Sequence, residues 1–310
     1  MPTLNEVFTH LSMRRRYEVW FLRLGLADGR GAWWFRYLLT NPGRAGCPGN
    51  ERGLPVQVWA TYFPSGGAPR SWIQGFALDS LALSARGASP FSLRVAENFI
   101  DETSCRGSLR LDGHEIEWNL RYQSNFRVTL SNKGWIGFSR TPHSDAVFSG
   151  EIRLDNQVFR GGPLGTGLQG HNCGFRHRHR WTWTHAYFAG SSPSTFEALT
   201  YEMPFGLSFR KAVLWHEGRA YGFRKLEEEQ RDRKQLVWRF RARGESELHV
   251  EVDGRGPSIH RLPYVKTDCS GTFEVANNSL ARAQVTLHRP GAGPVTLSTE
   301  TGAVLEMVGD

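Results

Sequence analysis

The sequence predicts an all-β protein, and three observations lead to this fold class. Short segments that alternate between apolar and polar residues recur roughly every 8–12 residues, as strands do in antiparallel proteins. Turn dipeptides such as Asp28-Gly29, Asp112-Gly113 and Asp253-Gly254 separate these segments. No long segment shows the i, i+3, i+4, i+7 apolar spacing of a major helix. The pattern therefore indicates an antiparallel barrel or sandwich.

Composition agrees with this prediction. The chain has 310 residues, of which 39% are hydrophobic and 22% charged, which is ordinary for a folded globular protein. It contains 34 Gly, 11 Trp and 19 Phe, which suits short strands joined by tight turns. The length fits two domains or one large all-β unit. The formal charge of +8 comes from arginines spread along the chain, so we expect no nucleic-acid partner.

The first half opens with a short helix or loose lead over residues 1–13, followed by a predicted hairpin of Tyr17–Leu26 and Ala32–Leu39. Further strands are expected at Val56–Phe63, Trp72–Leu81, Phe91–Val95, Cys105–Asp112, His114–Tyr122, Val147–Leu154 and Gln157–Arg160. The Gly- and Pro-rich segment Gly161–Gly167 marks the predicted domain boundary. We therefore expect one domain over residues 1–165 and a second over 166–310.

The second half shows the same pattern of short alternating segments separated by turns. This pattern suggests a duplicated barrel-like unit, although the two halves share no clean sequence repeat. Its expected strands are Thr195–Glu202, Phe209–His216, Arg219–Glu228, Gln235–Ala242, Glu247–Asp253, Gly271–Asn277, Ser279–His288 and Ala303–Val308.

Targeting signals are not evident in the sequence. No apolar run approaches ~18 residues, so no transmembrane helix is expected. The first ten residues lack the pattern of a secretory signal, which predicts a cytoplasmic location. The scattered cysteines Cys47, Cys105, Cys173 and Cys269 are therefore expected to be reduced.

The stretch Gln169–Phe188 combines most of the chemically interesting residues. It begins as a predicted Gly-bounded loop, Gly170–Gly174, and continues as a strictly alternating segment. If that segment is a strand, alternate side chains share one face. This face would contain His177, His179, Trp181, Trp183, His185 and Tyr187.

Three interpretations of this face are open. The aromatic side chains could line a ligand cavity in which the histidines are the polar groups. They could instead fill the core of an ordinary barrel strand. Histidines two apart on a strand could also bind a metal, but no H-E-x-x-H or paired C-x-x-C motif supports this. We assign no metal site.

The run Leu168–Gly174, followed by Trp181-x-Trp183, resembles a known signature, G-Y-x-D/G-H-N-W-G…W-x-W. That signature belongs to the two-domain lipocalin-like family of AttH-like proteins, carotenoid hydratase (hydroxyneurosporene synthase) and, more distantly, tocopherol cyclase. The segments Tyr17–Leu22, Trp33–Tyr37 and Thr301–Glu306 are also similar to this family. The resemblance implies two lipocalin-like antiparallel β-barrels packed together, with an apolar cavity near their junction.

The resemblance also implies a type of reaction, but this sequence differs from the family signature at two positions. In the hydratase and cyclase branches an acidic group protonates an isoprenoid alkene, and aromatic rings stabilise the carbocation. The hydratases have Asp immediately before His-Asn, where this chain has Gly170, and Trp after it, where this chain has Cys173. The usual proton donor is therefore missing. His171 could replace it, because an imidazole exchanges protons near neutral pH.

From these residues we predict a cofactor-independent cyclase, hydratase or isomerase of a hydrophobic isoprenoid- or polyketide-like molecule. The alternative is a non-catalytic carrier for a hydrophobic ligand. The predicted catalytic residues are His171, Asn172, His185 and Glu202. The predicted ligand-binding residues are Trp181, Trp183, Tyr187, His177, His179, Trp118 and Trp215. Peripheral membrane contact and the oligomeric state are left open.

Overall fold

The structure is a computed structural model that describes residues 4–49, 53–177, 180–203 and 207–309. Strands account for 66% of the residues and helix for 3%. The strands form two antiparallel sheets, each curled into a half-barrel, and the predicted all-β class is confirmed. None of the helices in these ranges is both long and apolar enough to cross a lipid bilayer.

The first sheet contains the strands of the N-terminal half. They are β1 (Tyr17–Leu26), β2 (Gly31–Thr40), β3 (Val56–Pro64), β4 (Arg70–Phe76), β5 (Leu81–Leu83), β6 (Ser92–Val95), β7 (Asn98–Asp101), β8 (Ser104–Leu111), β9 (His114–Gln123), β10 (Val128–Asn132), β11 (Gly137–Leu154) and β12 (Gln157–Gly174). The strand order is β4-β3-β2-β1-β12-β11-β9-β8-β7-β6-β5, and β10 pairs with β11. One face buries an aromatic-rich core that includes Trp20, Trp33, Phe35, Tyr37 and Trp118.

The second sheet contains the remaining strands. They are β13 (Trp181–Phe188), β14 (Ser194–Glu202), β15 (Ser208–His216), β16 (Arg219–Phe223), β17 (Lys225–Asp232), β18 (Val237–Arg243), β19 (Glu247–Asp253), β20 (His260–Val265), β21 (Thr272–His288) and β22 (Val295–Val308). The order is β16-β15-β14-β13-β22-β21-β19-β18-β17, and β20 pairs with β21. Its own core lies on one face of the sheet and includes Phe188, Phe196, Leu214, Trp238 and Phe240.

The Gly-rich segment before the central motif is strand, not loop. Gly161–Gly167 and Gly170–Gly174 both belong to β12, which pairs with β1 from Gly165 to Gly174. A Cβ at Gly167 would overlap the carbonyl oxygen of Arg23, and one at Gly170 would overlap the ring of Phe21. The glycines are therefore explained by the close approach of β1, and the predicted Gly-bounded loop is wrong.

Contacts divide the chain into two compact units. The first unit contains the described residues of 1–62, 70–177 and 265–273, and the second contains those of 63–69, 178–264 and 274–310. The boundary predicted between 165 and 166 falls within β12. The division into domains at that boundary stays a prediction.

Two of the four cysteines form a disulfide, contrary to the expectation of reduced thiols. Cys47 and Cys269 are bonded, 222 residues apart in sequence and within the first unit. Cys105 and Cys173 are free and buried. The reduced-thiol expectation rested on the missing signal pattern, whereas the fold brings the two distant cysteines to a Cα–Cα distance of 5.4 Å. Disulfides are typical of oxidising compartments, which weighs against the predicted cytoplasmic location.

Candidate functional site

The odd-numbered residues of β13 lie on the face of the second sheet opposite its core. Register places Trp183 beside Leu199 and His185 beside Glu197 on β14, and Leu199 in turn beside Lys211 on β15. We call this surface the W-x-W face. It comprises Trp181, Trp183, His185 and Tyr187 on β13; Thr195, Glu197, Leu199 and Tyr201 on β14; Phe209, Lys211, Val213 and Trp215 on β15; and Glu306 on β22.

The predicted alternation is thus confirmed for residues 181–187 and wrong at His177. The strand begins at Trp181, and His177 lies before it, in the first unit. His179 lies outside the described residues. The alternating letters continue through 177–180, but the backbone is not a strand at His177.

Each tryptophan of the W-x-W motif holds a carboxylate on a neighbouring strand. The indole Nε1 of Trp183 donates to Glu197 Oε1 on β14 at 3.0 Å. The indole Nε1 of Trp181 donates to Glu306 Oε1 on β22 at 3.1 Å. Glu197 is 1% exposed and Glu306 8% exposed. Two buried carboxylates therefore flank β13, one on each side.

Glu306 has further support from β21. Its Oε2 accepts a hydrogen bond from Asn277 Nδ2 at 3.4 Å. Ser279 Oγ donates to Asn277 Oδ1 at 3.1 Å, which orients the amide so that its NH₂ group faces Glu306. Both carboxylate oxygens of Glu306 therefore accept a hydrogen bond, one from the indole N–H of Trp181 and one from the amide NH₂ of Asn277. Neither of these nitrogens can accept a hydrogen bond.

The rest of the W-x-W face combines buried and reachable groups. His185 is fully buried. Trp181, Tyr187 and Trp215 are half-buried. Lys211 is also half-buried, and burial lowers the pKa of its ammonium; the Arg224 guanidinium acts in the same direction and Glu197 opposes it. The partly accessible groups of this face are therefore aromatic rings and one ammonium, whereas its two carboxylates are buried.

His171 and Asn172 point to opposite faces of the first sheet, because they are neighbours on β12. His171 is fully buried, on the side of the core residue Trp20, to which it is paired in register. Asn172 pairs with Val19 and Ser139. Its buried Oδ1 makes no hydrogen bond within the described part of the chain. The two predicted catalytic neighbours therefore cannot act on one ligand atom together.

His171 forms a buried pair with Glu18. Its Nε2 donates to Glu18 Oε1 at 2.8 Å, and its Nδ1 donates to the Leu4 carbonyl oxygen at 2.8 Å. Glu18 also accepts from the backbone N–H groups of Phe8 at 2.9 Å and Thr9 at 2.6 Å. Both side chains are 0% exposed. Because a carbonyl oxygen and a carboxylate only accept, both ring nitrogens of His171 act as donors in this geometry.

Aromatic rings and the N-terminal segment surround this pair. Trp20 stacks on His171 with centroids 4.7 Å apart, and Phe138 meets the imidazole edge-on at 4.7 Å. Trp20 Nε1 donates to the Asn5 carbonyl oxygen at 3.2 Å, and the side chains of Asn5 and Gln169 donate to each other. Both ring nitrogens of His171 thus form hydrogen bonds within the protein, to Leu4 and Glu18. This arrangement indicates that His171 fixes the position of the N-terminal segment.

The other predicted residues occupy separate positions. His177 stacks on Tyr17 with centroids 4.1 Å apart; burial, with a smaller effect of Arg36, lowers its pKa to about 3. Trp118 lies in the core of the first sheet and donates to Tyr37 Oη at 3.2 Å. Glu202 is exposed and bonds to Arg180 at 2.6 Å.

Glu18, Glu197 and Glu306 are the functional candidates that the sequence does not reveal. Each is a carboxylate within an alternating strand, at a position that a half-buried sheet normally exposes or fills with an apolar residue. Their one sequence signal is an acidic residue whose two neighbours in sequence are apolar or aromatic. Within the described ranges, no group of three or more His, Cys, Asp or Glu is placed to hold a metal ion.

Comparison with known proteins adds the fold relationship. No protein-family model matches the sequence, and no curated protein matches it significantly. Among solved structures, the chain is similar to kievitone hydratase from Nectria haematococca, with a TM-score of 0.59 and 11% identity over 98% of this chain and 93% of that one. It is similar to CghA, with a TM-score of 0.63 and 10% identity over 100% and 94%.

A putative AttH protein from Nitrosomonas europaea is also similar, with a TM-score of 0.52 and 13% identity over 97% of this chain and 94% of that one. The chain has the fold of these proteins. The resemblance to the two-domain lipocalin-like proteins is therefore confirmed at the level of fold. The more distant likeness to tocopherol cyclase stays a prediction.

Proposed function

We propose that this protein is an acid–base enzyme that needs no redox cofactor and acts on a hydrophobic small molecule at the W-x-W face. The reaction class is hydration, dehydration, cyclisation or isomerisation of an isoprenoid- or polyketide-like substrate. The observation that carries the proposal is the pair of buried carboxylates, Glu197 and Glu306, each fixed by an indole N–H of β13.

The arrangement suits proton transfer to and from an apolar substrate. Glu197 and Glu306 lie on the two strands that flank β13, opposite His185 and Trp183 respectively, so their backbones are roughly 12 Å apart. A substrate between them could receive a proton from one carboxyl group and lose a proton, or gain an activated water, at the other. Cationic character that develops on the way would be stabilised by the faces of nearby Trp and Tyr rings, by about 0.5–2 kcal/mol.

Glu197 is the better candidate for the proton donor. Its carboxyl group is almost fully buried, and Trp183 Nε1 holds it at 3.0 Å beside the half-buried rings of the face. Glu306 accepts on both oxygens and is the better candidate for the base. The predicted catalytic role of His185, which is paired with Glu197 in register, stays a prediction, as do those of His171, Asn172 and Glu202. The name of one structural neighbour, a hydratase, agrees with this reaction class.

The test is Glu197→Gln, with Glu300→Gln as matched control. Glutamine retains an oxygen that accepts from Trp183 Nε1 but cannot transfer a proton. Substrates would be found by incubating the protein with isoprenoid and polyketide-like compounds and following products by mass spectrometry. We expect kcat/KM to fall at least about 100-fold in Glu197→Gln. The control removes an exposed carboxylate from β22, the strand that carries Glu306, and should change kcat/KM less than about twofold.

Retention of turnover in Glu197→Gln, with an unchanged circular dichroism spectrum, would exclude Glu197 as the proton donor. The half-buried rings of Trp181, Tyr187 and Trp215 also suit a non-catalytic carrier. In a carrier, the wild-type protein binds a compound without converting it, and Glu197→Gln binds that compound with an unchanged Kd.

A further inference from the structure

Several stretches of the first unit meet at the end of its sheet where β1 begins and β12 ends. Register places Tyr17 beside both Thr40 and Gly174, and Gly174 beside Gly137, so the segments that adjoin these residues lie at one end of the sheet. We call this part of the molecule the basic end. Its described segments are residues 10–16, 41–49, 53–55, 133–136, 175–176 and 266–271.

The charge of the basic end is strongly unbalanced. Its seven basic residues are Arg14, Arg15, Arg16, Arg44, Lys133, Arg176 and Lys266, and its one acidic residue is Asp268. Seven less one gives a net charge of +6, against +8 for the whole chain. The turns 27–30, 112–113 and 155–156, at the other end of the same sheet, contain Asp28, Arg30, Asp112 and Asp155. Arginines that are spread along the sequence are thus brought together by the fold, and a field of one sign attracts an anionic partner.

Apolar side chains are exposed at the same end. Leu11, Leu54 and Ile136 are each 42% exposed, and they are three of the four large apolar side chains with such exposure in the described ranges. The fourth, Leu207, belongs to the second unit. Apolar side chains gain free energy when they leave water for an apolar phase. Exposed apolar side chains among basic ones are typical of surfaces that bind anionic membranes.

Contacts hold the segments of the basic end together. The backbone N–H of Gly43 donates to the Met13 carbonyl oxygen at 3.0 Å. Arg16 Nη1 donates to the Ile136 carbonyl oxygen at 3.3 Å. The Cys47–Cys269 disulfide attaches residues 266–271 to the connection between β2 and β3. The surface is therefore formed in advance, and a partner need not order it on binding.

We infer that the basic end docks on the surface of an anionic lipid bilayer. Leu11, Leu54 and Ile136 enter the boundary between headgroups and acyl chains, and the basic side chains lie against the lipid phosphates and carboxylates. A nucleic acid would match the charge but would leave the apolar side chains in water. The inference does not depend on the reaction proposed above.

Cosedimentation of the full-length protein with lipid vesicles tests the inference. One set of vesicles contains phosphatidylcholine alone, and the other contains phosphatidylcholine and phosphatidylserine in equal amounts. Near neutral pH and at low salt, we expect binding to the mixed vesicles to be at least about tenfold tighter. High salt should remove most of this difference, because it screens the attraction between exposed charges.

Two double variants separate the two parts of the surface. Arg14→Gln with Arg44→Gln removes two exposed charges and should weaken binding to the mixed vesicles at least about tenfold. Leu11→Ser with Ile136→Ser retains the charge and should weaken binding at least about fivefold, because less apolar surface enters the bilayer.

Each variant has a matched control outside the basic end. Arg94→Gln with Arg121→Gln removes the same charge from exposed positions on β6 and β9. Leu207→Ser removes an apolar side chain that is 60% exposed in the second unit. Both controls should bind the mixed vesicles within about twofold of wild type, since only charges near the membrane surface contribute. Circular dichroism spectra that match wild type confirm that each variant is folded.

Three outcomes would overturn the inference. Absence of binding to the mixed vesicles would exclude a membrane-docking surface. If the arginine pair at the basic end and its control weaken binding equally, the attraction is an effect of net charge. If the Leu11 and Ile136 variant binds like wild type while the Arg14 and Arg44 variant does not, the basic end is a general polyanion surface. None of these results bears on the proposed function, because turnover is not measured.

Discussion

Replacing Glu18 by alanine should lower the free energy of unfolding by about 3–5 kcal/mol. The carboxylate is fully buried and accepts hydrogen bonds from His171, Phe8 and Thr9. Its removal leaves the imidazole and two backbone N–H groups without their acceptor in a water-free site. Urea denaturation at pH 7 measures the change.

The control for this experiment is Glu117→Ala, which removes an exposed carboxylate from β9 of the same sheet. Its effect should stay within about 0.5 kcal/mol. A loss below about 1 kcal/mol in Glu18→Ala would show that the pair contributes little to folding.

The same pair makes stability depend on pH in a defined direction. Burial by itself raises the pKa of Glu18, but the hydrogen bond and charge of His171, with hydrogen bonds from Thr9 and Phe8, hold it below the ordinary 4.5. A lowered folded-state pKa contributes stability above pH 4.5, and that contribution is lost as pH falls through the folded-state value. The difference in stability between wild type and Glu18→Ala should therefore narrow below pH 4.5. A difference that stays constant down to pH 3 would contradict the assignment.

Removing the disulfide should lower the free energy of unfolding about as much as Glu18→Ala does. Replacing both Cys47 and Cys269 by serine opens a cross-link between residues 222 apart, and loop entropy alone predicts a loss of about 5 kcal/mol. Wild-type protein treated with dithiothreitol should unfold at the same urea concentration as the double variant.

Thiol titration gives an independent check of the disulfide. Two thiols should react in denatured, unreduced protein, from Cys105 and Cys173, and four after reduction. Four reactive thiols without reduction would show that Cys47 and Cys269 are not bonded.

The sequence is sufficient to predict strands whose apolar side chains alternate. The prediction for Tyr17–Leu26 matches β1 residue for residue, since even positions face the core and a D-G turn ends the strand. It fails for β12, because glycine normally indicates a turn. Gly167 and Gly170 instead accommodate Arg23 and Phe21 of the neighbouring strand. Such close contacts depend on which strands become neighbours, and a single sequence does not contain that information.

In the candidate site, too, some features follow from the local sequence and others depend on strand pairing. The shared face of Trp181, Trp183, His185 and Tyr187 follows from local alternation and is predicted correctly. The carboxylates of the site come from other parts of the sequence. Glu197 is 14 residues from its partner Trp183, and Glu306 is 125 residues from its partner Trp181. The sequence motif indicates His171 as a catalytic residue, but β12 turns its side chain toward the core, where it donates to Glu18. Strand pairing, not residue type, decides which polar groups meet.

The alternation of β13–β15 also has a use in protein engineering. Phe188, Phe196 and Leu214 are even-numbered and pack the core of the sheet, whereas the odd-numbered Trp181, Tyr187 and Trp215 on its other face are half-buried. A combinatorial library restricted to these half-buried odd positions would therefore vary the proposed ligand surface while leaving the packed core untouched. Side chains that pack the core and side chains of the proposed ligand surface alternate along the same three strands, so one set could be changed without changing the other.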